Sequence, residues 1–507
     1  MAIDSKRIAK NTIFLYARLI LVMGVTLYAS RVVLDKLGVD DFGLYNVVFS
    51  VIGLLSFLNG TLSIGTSRFI TFELGKNSKE KLKATFSTAL GTHCILALFI
   101  LLIGETFGIW YVYNVLVCPP DRFQVAFLVY QISIFQTMIT IIQVPFTSEI
   151  IAHEKMDFYA YIGIYEAVAK LLVVFLLIKT PFDKLLYYAV LVALVSSSLL
   201  VISAVYCRKH FEEVCLKGGF DKSIFRSLLG FSGWNIIANI SETLMRQGVI
   251  MLFNIFFLPV VVAAQAISNQ ISNAMMQFVG NVRQAVNPQV IKLYADQQYD
   301  NSKKLTLQST ELVFYLLLLL GVPLIMIMPN LLNLWLVEVP QYTVEFARLV
   351  VIQDILGNFS TAFYTPMVAA NRIQKNSIAS IILCATQFGL MYLLFHLGFG
   401  PIWARYLGVL FCIIWSFVVK PYILWKDINY TWSEMLLCIA KCLRVLVVVA
   451  ILCYIVYRFI PQPTFSRSIV VAGLSAFIVI LISYMLMEKS MRVRLNNIIT
   501  NRIKNKI

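Results

Sequence analysis

Residues 312–337 read LVFYLLLLLGVPLIMIMPNLLNLWLV, an apolar stretch without one formal charge. About 20 mainly apolar residues are enough for a helix to cross roughly 30 Å of hydrocarbon. Four further uncharged stretches meet this requirement: residues 42–67, 123–148, 185–207 and 469–487. These Leu, Ile, Val and Phe blocks lack the strict alternation of barrel strands, so they predict membrane-spanning helices.

The composition of the whole chain agrees with this interpretation. Of its 507 residues, 59% are hydrophobic and 13% are charged, which leaves too little polar surface for a soluble globule. Pro259 is expected to divide the uncharged stretch 247–282, which is too long for one crossing. We therefore expect an all-α polytopic membrane protein with about fourteen spans. The predicted spans begin near residues 11, 42, 85, 122, 158, 185, 227, 261, 305, 343, 377, 402, 435 and 468.

The distribution of positive residues predicts the orientation in the membrane. Placing the N-terminus inside assigns about 25 Lys and Arg residues to cytoplasmic segments and about 8 to the outside. The net charge of +16 is then mostly a topology signal, with attraction to anionic lipid heads as a secondary effect. Nucleic-acid binding would need a folded basic domain, which the sequence does not indicate. Both termini are expected on the cytoplasmic side.

Spacing between arginines indicates an internal duplication. Arg31 and Arg68 are 37 residues apart, and the same separation recurs between Arg246 and Arg283. Such a repeat predicts two six-helix bundles in the same orientation, as in many transporters. The expected domains are an N-terminal bundle at 1–206, a cytoplasmic linker at 207–226, a second bundle at 227–426, and two extra helices with a basic cytoplasmic tail at 427–507.

Polar side chains form stripes on four of the predicted helices, because residues four or seven apart share one helical face. Such faces either hydrogen-bond to neighbouring helices or line an aqueous cavity. Four of them together favour a shared cavity. The stripes are Gln136, Thr140, Gln143 and Thr147; Asn235, Asn239, Glu242 and Arg246; Gln265, Asn269, Asn273, Gln277 and Asn281; and Asp354, Asn358, Thr361 and Thr365.

Isolated charges inside spans are costly and therefore functional candidates. Arg18 lies about 10 Å inside the first span, with no carboxylate three or four positions away. It is the first candidate for contact with an anionic substrate, and snorkelling to the inner surface is the alternative. Asp354 has no cation nearby in sequence and is a candidate proton or cation site. Arg283 and Lys441 lie near inner span ends, where a topological or lipid-head role is expected.

Two charge pairs are placed to close within their own helices. Glu166 and Lys170 are four residues apart, as are Glu242 and Arg246. Each pair is either self-neutralising, or it joins a coupling carboxylate to a cation that is released to bind substrate phosphate.

Neither a metal nor a cofactor is predicted. The four histidines, His93, His153, His210 and His396, are far apart and are interpreted as ordinary helix or loop residues. The sequence shows no P-loop, no Gly-rich dinucleotide turn and no Ser-His-Asp pattern. The nine cysteines are scattered and indicate no disulfide framework.

Three stretches resemble one known family: NTIFLYARLILVMGVTLYASRVVLDKLGVDDFGLYNVV at 11–48, FLNGTLSIGTSRFITFELGK at 57–76 and IIAHEKMDFYAYIGIYEAVAKL at 150–171. They are similar to the polysaccharide-transport (Wzx-type) flippases of the multidrug/oligosaccharidyl-lipid/polysaccharide exporter superfamily. The resemblance implies two six-helix bundles in a V around a central cavity. It further implies transport of undecaprenyl-diphosphate-linked oligosaccharides across a bacterial inner membrane for O-antigen, capsule or exopolysaccharide synthesis. The resemblance implies that transport proceeds by ion-coupled alternating access. It also implies a polymerase and glycosyltransferases of the same pathway as partners.

The predicted cavity and this resemblance together indicate a set of site residues. The expected substrate contacts are Arg18, Lys170, Arg246, Asn235, Asn239, Gln265, Asn269, Asn273, Gln136 and Thr140, and the expected coupling residues are Glu166, Glu242 and Asp354. One alternative is a multidrug exporter of the same superfamily, for which a net acidic, aromatic-rich cavity would be expected. Another is a membrane glycosyltransferase or polymerase, which usually needs a sizeable outside loop with catalytic carboxylates. A flippase for the murein precursor differs by cargo alone.

Overall fold

The computed structural model describes the backbone of residues 5–496 except 76–77, 154, 215–218, 461–463, 489–490 and 494–495. Side chains are described within these ranges from residue 21 onwards, except at 56–62, 64, 75, 229–238, 281 and 284–285. All regular elements in the described part are helical, so the predicted all-α class is confirmed. The helices are α1 (Ser5–Gly53), α2 (Phe57–Gly75), α3 (Lys79–Ile103), α4 (Ile109–Asn114), α5 (Phe123–Ala152), α6 (Met156–Lys179), α7 (Lys184–His210), α8 (Lys222–Thr243), α9 (Val249–Phe256), α10 (Pro259–Ala295), α11 (Tyr299–Trp335), α12 (Thr343–Ala369), α13 (Gln374–His396), α14 (Ile402–Ile414), α15 (Lys420–Asp427), α16 (Trp432–Phe459) and α17 (Phe465–Leu486).

Many of these helices can cross a membrane. Within the described residues, nine helical runs are long and apolar enough by length and composition alone. Every predicted span start lies on one of the helices or within a residue of it. The first predicted span and the start of the second lie on α1, which breaks at Gly38, where φ is +80°, and the second continues into α2. Pro259 opens α10 after a break at Phe257 and Leu258, as predicted.

The chain divides into two compact units. The first comprises Met1–Ala266 with Leu336–Pro340, and the second comprises Ile267–Trp335 with Gln341–Ile507. The first unit thus continues beyond the expected linker at 207–226. The bundle boundaries derived from the apparent repeat stay a prediction.

In the first unit, α5 packs against α3 and α7. The buried Tyr130 of α5 donates a hydrogen bond of 2.7 Å to the carbonyl of Gly104, where α3 passes into a π-helical turn. At the start of α5, Arg122 donates to Asp41 and, at 2.6 Å, to Asp183. Burial alone would raise the pKa of Asp183, but the Arg122 guanidinium and the Leu186 amide lower it. Three segments are therefore joined at this end of the unit.

In the second unit, α11 packs against α12, α16 and α17. Asn330 of α11 donates to Ser468 of α17 at 2.5 Å. Lys441 of α16 forms ion pairs with the buried Glu311 of α11, at 3.7 Å, and with Glu488, at 3.1 Å. Lys441 is therefore paired with two carboxylates, and the expected topological or lipid-head role stays a prediction. The two extra C-terminal helices belong to this unit.

Close packing of α1 on the start of α10 leaves no room for a side chain at Gly43, because a Cβ there would overlap the backbone carbonyl of Pro259. Gly43→Ala is therefore expected to lower the free energy of unfolding by about 1 to 3 kcal/mol, since backbone cannot move aside like a flexible side chain. Thermal unfolding of the purified protein in detergent measures this. Gly389→Ala on α13 meets open space and is the matched control, expected to be neutral or slightly stabilising. Equal melting temperatures for the two variants would contradict the close approach.

Candidate functional site

A polar pocket lies within the second unit, where the last third of α10 meets the start of α11 and the second half of α12. The space within it that the centre of a water molecule can reach is about 10 Å³. Aliphatic side chains form part of the wall. The orientation predicted from the sequence would put this end of the three helices on the cytoplasmic side. The polar lining consists of Arg283, Asn287, Thr306, Ser309, Asn358 and Thr365.

Arg283 carries the charge of the pocket. Its Nη2 donates to the side-chain Oδ1 of Asn358 at 2.6 Å and to the backbone carbonyl of the same residue at 3.0 Å. Asn358 is fully buried, and its Nδ2 donates to the carbonyl of Thr310 at 3.0 Å. The amide is thus fixed from one side by α11 and orients the guanidinium from the other.

The guanidinium of Arg283 has no acidic partner in the part of the chain that the structure describes. Among the described residues, no carboxylate lies within 4.0 Å of it, and its buried Nε has no hydrogen-bond partner. Withdrawing such a cation from water is unfavourable unless an anion compensates. A guanidinium fork matches phosphate and carboxylate oxygens, so the pocket suits an anionic group.

The remaining polar groups of the pocket are mostly acceptors. Thr365 donates to the Oδ1 of Asn287 at 3.1 Å, which connects α12 to α10. Thr306 and Ser309 donate to carbonyls of their own helix at 2.9 Å, and the Thr306 hydroxyl also hydrogen-bonds to Tyr430. The Asn287 amide nitrogen is a potential donor. Such a lining can hydrogen-bond hydroxyl-rich ligands beside the single positive charge.

Only part of this pocket was predictable from the sequence. Asn358 and Thr365 belong to the predicted polar stripe on α12, but Arg283 was expected to have a topological or lipid-head role. Two signals were present in the sequence: Asn287 follows Arg283 by four residues, and both lie on the helix of a second stripe. The contact with Asn358 joins positions 75 residues apart, which sequence periodicity does not reveal.

Asp354 lies one helical turn before Asn358 on α12. Ser272 of α10 donates to its Oδ2 at 2.6 Å. Arg405 of α14 interacts electrostatically with the same carboxylate and stacks over the ring of Phe346 at 5.6 Å. The sequence offered no cation close to Asp354, and the fold supplies one from another helix.

The two predicted charge pairs close locally. Lys170 lies 2.7 Å from Glu166, and both side chains are close to 40% exposed (42% and 41%). Arg246 lies 3.7 Å from Glu242, and these side chains are 55% and 71% exposed. Each cation already has a carboxylate beside it, which distinguishes both from Arg283.

The other predicted contacts differ widely in burial. Thr140 donates to the carbonyl of Thr137 at 2.8 Å within α5. Gln265 is buried, Asn273 is exposed, and the half-buried residues are Gln136, Asn239 and Asn269. Arg18 on α1 and Asn235 on α8 lie outside the described side chains. A cavity shared by the four stripes stays a prediction.

Comparison with known proteins gives matches of two kinds. A family model described as "Polysaccharide biosynthesis protein" matches residues 36–339. No curated protein matches the sequence. Among solved structures, an inward-facing multidrug resistance MATE family transporter of the MOP superfamily has a TM-score of 0.68 at 14% identity, covering 81% of this chain and 98% of the transporter. The lipid II flippase MurJ in an inward closed conformation has a TM-score of 0.65 at 13% identity, covering 94% and 99%. A MATE in the bent conformation has a TM-score of 0.60 at 13% identity, covering 82% and 95%. At these identities the likeness concerns the fold.

Proposed function

Because the chain belongs to the family of polysaccharide biosynthesis proteins and has the fold of transporters of the MOP superfamily, we propose that it is a flippase for undecaprenyl-diphosphate-linked oligosaccharides. The family match confirms the resemblance found in the N-terminal stretches. The proposed location is the bacterial inner membrane, with both termini in the cytoplasm. The proposed pathway is surface polysaccharide synthesis, alongside a polymerase and glycosyltransferases.

The observation that carries this proposal is the pocket around Arg283. A diphosphate cannot cross hydrocarbon unsolvated, because each desolvated anion costs several kcal/mol. A guanidinium oriented by Asn358, without a carboxylate among the described residues nearby, offers charge-assisted hydrogen bonds to the phosphate oxygens. On the predicted cytoplasmic side, it would receive the head group of a lipid from the inner leaflet. Arg18, Lys170 and Arg246 stay candidates for further contacts along the path.

The polar surroundings of Arg283 fit the sugar part of such a cargo. Asn287, Thr306 and Ser309 can exchange hydrogen bonds with hydroxyl groups of varied stereochemistry. An organic cation would instead be repelled by Arg283, which disfavours the multidrug-exporter alternative at this site. The lipid tail requires no polar contact and would stay in the bilayer.

Ion coupling is proposed to act through Asp354. Protonation or cation binding at this carboxylate would change its interactions with Ser272 and Arg405. A ligand shifts a conformational equilibrium only by its different affinity for the two states. Asp354 is suited to this because its side chain joins α12 to Ser272 of α10 and interacts electrostatically with Arg405 of α14. Glu166 and Glu242, already beside Lys170 and Arg246, are the weaker candidates.

Deletion of the gene in the native bacterium tests the proposed class. We expect loss of a surface glycan, with complete lipid-linked units accumulating in the inner leaflet and recovery on complementation. Incomplete or missing lipid-linked units would instead indicate a glycosyltransferase. Sensitivity to organic cations with an unchanged surface glycan would indicate a multidrug exporter.

A further inference from the structure

Three potential metal ligands meet at one end of the first unit. Glu149 lies in the last turn of α5, His153 directly follows that helix, and Glu213 lies in the segment after α7. Their ligand atoms all lie within 4.8 Å of one another. The Nε2 of His153 is 2.5 Å from the Oε1 of Glu213 and 3.5 Å from the Oε1 of Glu149.

Glu149 is the unusual member of the cluster. Its side chain is fully buried, and among the described residues neither carboxylate oxygen has a partner in hydrogen-bonding geometry, His153 and Glu213 being its polar neighbours. An ionised carboxylate in this position is strongly unfavourable without a cation or a donor. His153 contributes at most one positive charge against the two carboxylates of Glu149 and Glu213. With both carboxylates ionised, the cluster would carry a net negative charge that one bound cation could balance.

The surroundings hold His153 in a fixed orientation. Its ring stacks on Phe211 with centroids 4.0 Å apart and an angle of 8° between the planes. Phe211 belongs to a buried cluster with Phe86 and Phe146, which closes the apolar side of the site. A ligand ring that is locked by packing loses little entropy on binding a metal.

We propose that Glu149, His153 and Glu213 bind one divalent transition-metal ion, with Zn²⁺ as the preferred ion. One imidazole nitrogen and two carboxylates form a donor set that suits Zn²⁺, whereas Mg²⁺ and Ca²⁺ prefer oxygen ligands alone. The ion would join the end of α5 to the segment that follows α7. This role is structural and does not depend on the proposed transport function.

The proposed metal site explains two features of the sequence. Glu149 precedes His153 by four residues, which places both on one helical face. Glu213 follows His153 by 60 residues and is brought into the site only by the packing of α5 on α7. The sequence predicted ordinary helix or loop roles for all four histidines. Only His153 has a glutamate four residues before it.

Cobalt(II) provides a spectroscopic probe for the site in the full-length protein, purified in detergent and treated with EDTA. We expect the visible spectrum to report one bound Co²⁺ per chain, displaced by one equivalent of Zn²⁺. Glu149→Gln, His153→Asn and Glu213→Gln should each weaken binding by about tenfold or more. The matched controls are His210→Asn, at the exposed end of α7, and Glu212→Gln, in the segment that follows it. Both residues are exposed, and Glu212 pairs with Lys79 at 2.8 Å. Both should bind as the unaltered protein does.

Metal binding to the unaltered protein tests the proposal even if a variant fails to fold. Absence of stoichiometric Co²⁺ and Zn²⁺ binding to it would overturn the proposal and leave a proton shared between the carboxylates as the explanation of the cluster. Equal weakening in the Glu212→Gln control would overturn it as well. Binding of one ion that is lost only in the three ligand variants would establish the site.

Discussion

Replacing Arg283 with alanine is expected to reduce export of the lipid-linked glycan by roughly 30-fold or more, while the protein stays in the membrane at its normal level. Truncating one partner of a buried, charge-assisted interaction costs about 2 to 5 kcal/mol, and the lower figure corresponds to that factor. In this variant no positive charge would meet the diphosphate in the pocket, and Asn358 would lose its donor. The measurement is the surface glycan of a deletion strain that carries the variant.

Two further variants separate charge from shape. Arg283→Lys keeps the charge but not the planar fork, so we expect an intermediate loss. Arg372→Ala removes an exposed arginine just beyond the end of α12 and is the matched control, with export expected to be unchanged. Normal export by Arg283→Ala would remove this residue from the substrate path and leave Arg18 as the first candidate.

Asp354→Asn is expected to abolish the dependence of export on the ion gradient. Asparagine keeps the size of the side chain and an oxygen that can accept from Ser272, but it cannot ionise. A coupling free energy of about 1 to 3 kcal/mol corresponds to a 5- to 150-fold effect of the gradient, and this factor should fall to about one. Export is measured in cells or vesicles with the proton or sodium gradient imposed and then collapsed.

The control for Asp354 lies on the same helix. Glu345 is an exposed carboxylate in the first turn of α12, and Glu345→Gln should retain the full gradient dependence. Glu166→Gln is expected to have less effect than Asp354→Asn, because Lys170 already pairs with that carboxylate at 2.7 Å. An undiminished response to the gradient in Asp354→Asn would exclude this residue as the coupling site.

The helices were predictable because their signals are local. The uncharged run at 312–337 lies mostly in α11, and Pro259 marks the start of α10 because proline lacks a backbone donor. The break at Gly38 was not singled out, since the sequence only indicated that one span ends and another begins in that region. The ion pair between Glu166 and Lys170 was predictable in the same way, because residues four apart are neighbours on a helix.

The site could be predicted only in part because its key contacts are not local. Arg283 contacts Asn358 across 75 positions, and Arg405, which interacts electrostatically with Asp354, lies on another helix. Periodicity shows which face of a helix is polar but not which helix lies opposite. An arginine near a span end therefore resembles a topology signal until packing shows what surrounds it.

Reconstitution of the purified protein into proteoliposomes is the most direct test of the proposed transport of lipid-linked oligosaccharides. The vesicles contain an undecaprenyl-diphosphate-linked oligosaccharide, and a membrane-impermeant lectin detects the units that reach the opposite leaflet. We expect transfer that depends on the protein and is lost in Arg283→Ala but retained in Arg372→Ala. Active protein that transports an organic cation and leaves the lipid-linked sugar in its original leaflet would contradict it.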